Sequence, residues 1–143
     1  MSMLIAALMF IPLLAMAFAH LLWTVGLTWP IRTEKLLAQS VVGTAGVERM
    51  PPKRRSLAIA IGTVAAGVIA LALADPEGGG LAISLIGFLC GAVFLGRGAA
   101  GYTARFIAHT PDPIFRYNDR RVYSPLCLAL GVGFVVLVIL RLL

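Results

Sequence analysis

Five side chains in this sequence could carry chemistry together: His20, Trp23, Arg97, Asp119 and Tyr123. Each falls near the end of an apolar block, so all five should sit at a similar depth. An arginine neutralises an anion, and a histidine moves a proton near neutral pH. Asp119 and Tyr123, four residues apart, could orient both. A polar pocket built from these residues would suit an anionic headgroup or a small metabolite. Plainer uses are open to the same groups. Arg97 lies about five residues from the expected end of its block, where a charge must snorkel outward or find a partner. Asp119, Tyr123 or a bound anion could be that partner, and Gly96, Gly98 and Gly101 leave space around it. A lone histidine such as His20 commonly serves as a hydrogen-bonded structural residue.

Other chemistries find little support. Haem held by two histidines would need a second one at the depth of His20, and the only other, His109, falls in a basic loop beside Pro111. Cys127 and His20 could approach each other, but no spaced ligand pair indicates zinc. Cys90 and Cys127 fall at different depths in their segments, so buried, inert thiols are expected and not a disulfide. Neither a phosphate loop, nor a Ser-His-Asp order, nor a pair of intramembrane carboxylates is visible. No metal and no cofactor is expected.

The elements that must position these groups are apolar. Of 143 residues, 60% are hydrophobic and 13% charged, with a mean hydropathy of +0.97. That composition argues against a soluble globule, and the apolar residues form blocks of the length a hydrocarbon layer requires. The net charge of +6 could suggest nucleic acid, but its placement argues for membrane topology. Six Lys/Arg lie between Arg32 and Arg55 and four between Arg105 and Arg121, whereas Asp75 and Glu77 occupy the link between the second and third blocks. Basic loops stay cytoplasmic. Loops 30–56 and 103–123 are therefore expected inside, with both termini and the Asp75–Gly80 link outside.

The expected fold class is all-α: one domain over residues 1–143, an integral membrane bundle of four transmembrane helices, with the termini on the same side. The helices are expected at about 3–27, 53–74, 81–102 and 125–143. The first block could be mistaken for a cleaved leader, since Ala15-Met16-Ala17 resembles a cleavage pattern. No basic residue precedes it and several follow, which favours a spanning helix. Pro12 predicts a local bend within it. Thr33 to Leu37 could begin a short interfacial helix. Ala58, Gly62, Ala66, Ala70 and Ala74 recur every four positions in the second block, a small-residue stripe that permits close helix approach. Asp75-Pro76 should end that helix, and the six-residue link should make the second and third helices antiparallel neighbours. In the third block, Ser84, Gly87 and Gly91, then Gly98 and Gly101, share one face interrupted by Phe94 and Leu95. Gly87-xxx-Gly91 is read first as packing within the chain and second as a homodimer face. Ser124-Pro125 predicts an N-cap and first-turn proline for the fourth helix.

One set of spacings also carries a likeness. His20-x-x-Trp23-x-x-Gly26-x-x-Trp29, Arg97-x-x-x-Gly101, and Phe115-x-x-x-Asp119-x-x-x-Tyr123-Ser124-Pro125-Leu126-Cys127 together resemble a bacterial family of small four-helix membrane proteins. It is catalogued as domain of unknown function thirty-nine ninety-five. The resemblance covers nearly the whole chain and implies an integral four-helix protein with no assigned activity. Many members carry an acidic residue after the glycine that matches Gly101, where this chain has Tyr102. The resemblance therefore implies that Asp119 pairs with Arg97 here, or that the pair is missing.

The expected function is that of a non-enzymatic structural or accessory subunit in a bacterial inner membrane. Its partners would be membrane lipids and either copies of itself or a larger membrane complex, with no nucleic acid. The alternative is a lipid- or small-anion-binding protein or enzyme with its pocket at the cytoplasmic leaflet. A channel or transporter would require oligomers, because the chain has no charged pore lining and no repeated broken helices.

Overall fold

The computed structural model describes residues 1–75, 77 and 79–143, and among them only helices and irregular segments occur. Four helices are long and apolar enough to cross a membrane: α1 (Ser2–Thr24), α3 (Lys53–Ala74), α4 (Gly80–Ala100) and the 30-residue run Pro113–Leu142. Between them lie α2 (Glu34–Val41) and α5 (Ala104–His109). The long run itself divides into α6 (Pro113–Asn118), one π-helical turn (Asp119–Tyr123) and α7 (Ser124–Leu142). With 23 residues, α1 reaches roughly 34 Å at a helical rise of about 1.5 Å per residue. A hydrocarbon layer about 30 Å thick needs no more.

The expected short link does make α3 and α4 neighbours, yet neither is the other's main partner. α1 packs chiefly on α3, and α4 chiefly on α7. Leu13, Ala70, Leu73, Phe134 and Leu137 form the buried centre where these pairs meet. Phe94 stacks on Phe134 there with ring centroids 5.8 Å apart. α3 ends at Ala74 with Asp75 extended, where the end was expected, and Pro76 and Gly78 of the link lie outside the described residues.

Small residues set how closely the helices approach. Gly67 of α3 lies against the Phe10 ring, where a Cβ would come within 2.7 Å of it. Gly87 of α4 faces Leu73 of α3, and Gly91 faces Phe134 and the Gly131 carbonyl of α7. Nearer the loops, a Cβ on Gly98 would lie 2.9 Å from the Leu128 backbone nitrogen. The four-residue stripe on α3 behaves differently. Ala66, Ala70 and Ala74 are buried, whereas Ala58 and Gly62 are exposed and nothing lies within 4 Å of Gly62. Each four-residue step on a helix overshoots a full turn by about 40°. Over four such steps the stripe leaves the packed face, and Ser56, Ala60 and Thr63 replace its first members.

The loops depart most from expectation. The segment expected as a loop over 103–123 is largely helical, because Thr103 caps α5 and Asp112 caps α6 with Pro113 in its first turn. Ser124 is not an N-cap: the helix arrives from Pro113 and passes through it. Pro125 has no N–H for the carbonyl one turn back, and the π turn that absorbs this lies immediately ahead of it. The short helix expected from Thr33 is present as α2, and it packs on α6.

Candidate functional site

Arg97 occupies the last turn of α4, three residues before the helix ends at Ala100. Its Nη2 donates to Asp119 Oδ1 at 2.7 Å, and its Nη1 donates to Ser124 Oγ at 3.4 Å. Arg116 approaches from the other side, its Nη1 donating to Asp119 Oδ2 at 3.2 Å and its Nη2 to the Gly101 carbonyl at 2.9 Å. Ser124 Oγ donates to the same Oδ2 at 3.1 Å. Asp119 is fully buried, and both its oxygens are occupied. The Arg97 guanidinium also lies over the Phe106 ring, 4.9 Å from its centroid.

Local geometry explains why these groups meet. Gly98 and Gly101 have no side chains to hold α7 away; a Cβ on Gly101 would overlap Ser124 Oγ. Arg116 and Asp119 are three apart on one helical face. Asp119 and Ser124 are five apart, which in an ordinary α-helix separates side chains by about 140°. The π turn, with its i→i+5 bonding, brings both hydroxyl and carboxylate to the α4 side.

Burying a carboxylate is costly unless it is paired and hydrogen-bonded. Here it is met by two guanidinium groups and a hydroxyl. Removing one member of such a group leaves the others buried without compensation, typically at about 3–5 kcal/mol. Two positive groups face one negative group, so the cluster keeps a surplus positive charge. The Arg97 side chain is 33% exposed and Arg116 14%, so the surplus lies toward Arg97's open edge.

The other sequence-derived site residues make their hydrogen bonds elsewhere, although Tyr123 shares the π turn with Asp119. Tyr123 donates to the Ser40 carbonyl at 3.1 Å, and its ring contacts Phe115. Phe115 in turn packs on Gly43, whose φ of +74° favours glycine. The Asp112 N–H donates to the Gly43 carbonyl at 3.1 Å. Tyr123 thus ties the α2 segment to the α6–α7 run. His20 Nδ1 hydrogen-bonds the Met16 carbonyl of its own helix at 2.9 Å, and its ring contacts Trp23 at 4.5 Å. Trp23 Nε1 donates to the Trp29 carbonyl at 2.8 Å. Among the described residues, no hydrogen bond, ion pair or ring contact joins His20 or Trp23 to Arg97 or Asp119. Likewise, no group of three or more His, Cys, Asp or Glu side chains converges there.

Sequence reasoning missed Arg116, Ser124 as a side-chain donor, and the Ser40–Gly43 docking point. Arg116 was recoverable from its i, i+3 spacing to Asp119. Ser124 was not, because that spacing makes sense only across a π turn.

A second ion pair provides a contrast. Lys35 and Glu48 meet at 2.9 Å with side chains 57% and 68% exposed. The hydrogen bond from Lys35, and then its charge, hold the Glu48 carboxyl below its ordinary range. The same contact raises Lys35.

A family model described as Protein of unknown function (DUF3995) matches residues 13–134. No curated protein and no solved structure matches the chain.

Proposed function

The chain belongs to the family described as Protein of unknown function (DUF3995), and from that premise we propose a non-enzymatic, multi-pass protein of a bacterial inner membrane. It acts as a structural or accessory subunit that packs with itself or with a larger membrane complex. The observation that carries this reading is the burial of Asp119 among Arg97, Arg116 and Ser124, which pair both of its oxygens. A carboxylate with no exposed surface and a donor on each oxygen is closed to a substrate. The polar groups with the greatest chemical capacity are spent on fastening α4 to the start of α7.

The orientation belongs to the same reading: loops 30–56 and 103–123 in the cytoplasm, both termini outside. It is supported by the basic residues of those loops. Two further contacts agree with it. Ser2 Oγ donates to the Ala74 carbonyl at 3.4 Å, and Arg141 donates to the Ala72 carbonyl at 3.1 Å. The exposed Ala58 and Gly62 leave a flat strip on α3 that a partner helix could approach closely.

Native mass spectrometry from a mild detergent tests the subunit reading, with Gly62→Leu alongside the wild type. A discrete oligomer or a co-purifying membrane protein is expected, weakened in the variant while melting is unchanged. A bare monomer under all gentle conditions would contradict it. A second reading, lipid or small-anion binding at the cytoplasmic leaflet, is favoured by the surplus positive charge at Arg97 and Arg116. In Arg97→Leu that reading expects lost lipid retention beyond what lowered melting explains.

A further inference from the structure

Away from the Arg97 cluster, a cavity of about 360 Å³ opens between the end of α1 and the start of α3. None of its lining residues is buried, so it is an open cleft at the surface. Trp23, Gly26, Leu27, Glu34, Met50 and Lys53 are among its lining residues.

Two opposite charges border this space. Glu34 opens α2, and its Oε1 accepts the Met50 N–H at 3.1 Å, which fixes the carboxylate on the wall. Lys53 opens α3, and its ammonium reaches over Gly26, where a Cβ would lie 3.7 Å from Lys53 Nζ. Gly26 has φ +90°, a backbone that glycine adopts freely, so the turn stays tight beneath the lysine. The indole N–H of Trp23 is already committed to the Trp29 carbonyl, which locks the ring at the cavity edge. Among the described residues, no ion pair joins Lys53 to Glu34, although Lys35 of the same segment pairs with Glu48. The cavity therefore carries one cationic and one anionic side chain with no ion pair between them.

Its position narrows the occupant. Trp23 and Lys53 lie at the ends of two helices apolar enough to cross a membrane, on the side where headgroups would lie. Leu27, Pro51 and Pro52 give the cavity an apolar border. We propose that this cavity holds the zwitterionic headgroup of a phospholipid, with its phosphate on Lys53, its ammonium on Glu34, and Trp23 packed beside it. A simple anionic lipid would leave Glu34 facing a negative charge. The site is independent of the Arg97 cluster and of the subunit reading.

The test is competitive lipid retention, read by native mass spectrometry on the full chain in mild detergent with equal amounts of phosphatidylethanolamine and phosphatidylglycerol. Wild type should retain the ethanolamine lipid by roughly fivefold over the glycerol lipid, the scale of one charge contact near a membrane surface. Glu34→Gln should erase that preference, and Lys53→Gln should lower retention of both lipids. Melting curves of each variant establish that it is folded, and the two variants read opposite poles independently. A parallel arm adds free phosphoethanolamine. Displacement of the lipid shows that the headgroup alone is read, whereas resistance shows that the glycerol and chains contribute; both support the site. An absent ethanolamine preference in wild type, or an undiminished one in folded Glu34→Gln, would overturn the proposal.

Discussion

The two ends of the helix core solve the same problem by different means. Each presents an arginine close to apolar surroundings. At the loop end, Arg97 meets a full negative charge, the buried carboxylate of Asp119, with Arg116 and Ser124 completing the set. At the opposite end, Arg141 donates to the backbone carbonyls of Ala72, Leu73 and Asp75, while Ser2 donates to that of Ala74. Those carbonyls lie at the C-terminus of α3, where the helix dipole favours a cation. The difference is one of risk. A carbonyl left by its arginine can turn to water or a headgroup, whereas Asp119, with no exposed surface, can turn to nothing.

The largest expected effect follows directly. Asp119→Ala should cost about 3–5 kcal/mol, since it leaves two guanidiniums facing each other without their counter-charge. Thermal unfolding in detergent would show it as a steep fall in Tm or as failure to recover folded protein. A loss no greater than that of Arg141→Ala would erase the contrast between the ends. Arg141→Ala itself should cost about 1–2 kcal/mol, the scale of a cation at a partly buried helix C-terminus. Chemical denaturation at fixed detergent checks the ordering.

The smallest effect belongs to the exposed pair Lys35–Glu48. Lys35→Gln should leave Tm unchanged within measurement, because solvent screens both charges. Its pH signature has a definite sign. Glu48 is held below the ordinary carboxylate range, so its contribution is present at neutral pH and fades as pH falls through that lowered value. Any stability gained on acidification at this pair would have the wrong direction.

The sequence was most informative where hydrophobic length alone decides structure. Four apolar runs pointed to four long helices, because a bilayer-length helix leaves little choice of conformation. Three of them start and end within a few residues of the expected bounds, whereas the fourth starts at Pro113 and not near 125. It was least informative where one residue alters phase. The α3 stripe looked continuous at a spacing of four, but a 3.6-residue turn rotates Gly62 and Ala58 off the packed face. Ser124-Pro125 had every local mark of a helix start, yet the helix had begun at Pro113, with Asp112 as its cap. The Arg97–Asp119 contact was foreseeable as one option for a costly charge. Its second arginine depended on α6, a helix hidden in a segment read as loop. His20 and Trp23 shared the expected depth with Arg97, but α1 packs chiefly on α3, and their contacts stay on their own side.

The central claim is that Arg97 and Asp119 act as one structural unit. A double-mutant cycle on unfolding free energy, using Arg97→Leu, Asp119→Leu and the combined variant, measures it most directly. Coupling of roughly 1–3 kcal/mol is expected, with the double variant more stable than the two separate losses would give. Losses that simply add, within a few tenths of a kcal/mol, would show two side chains that happen to lie 2.7 Å apart and hold nothing together.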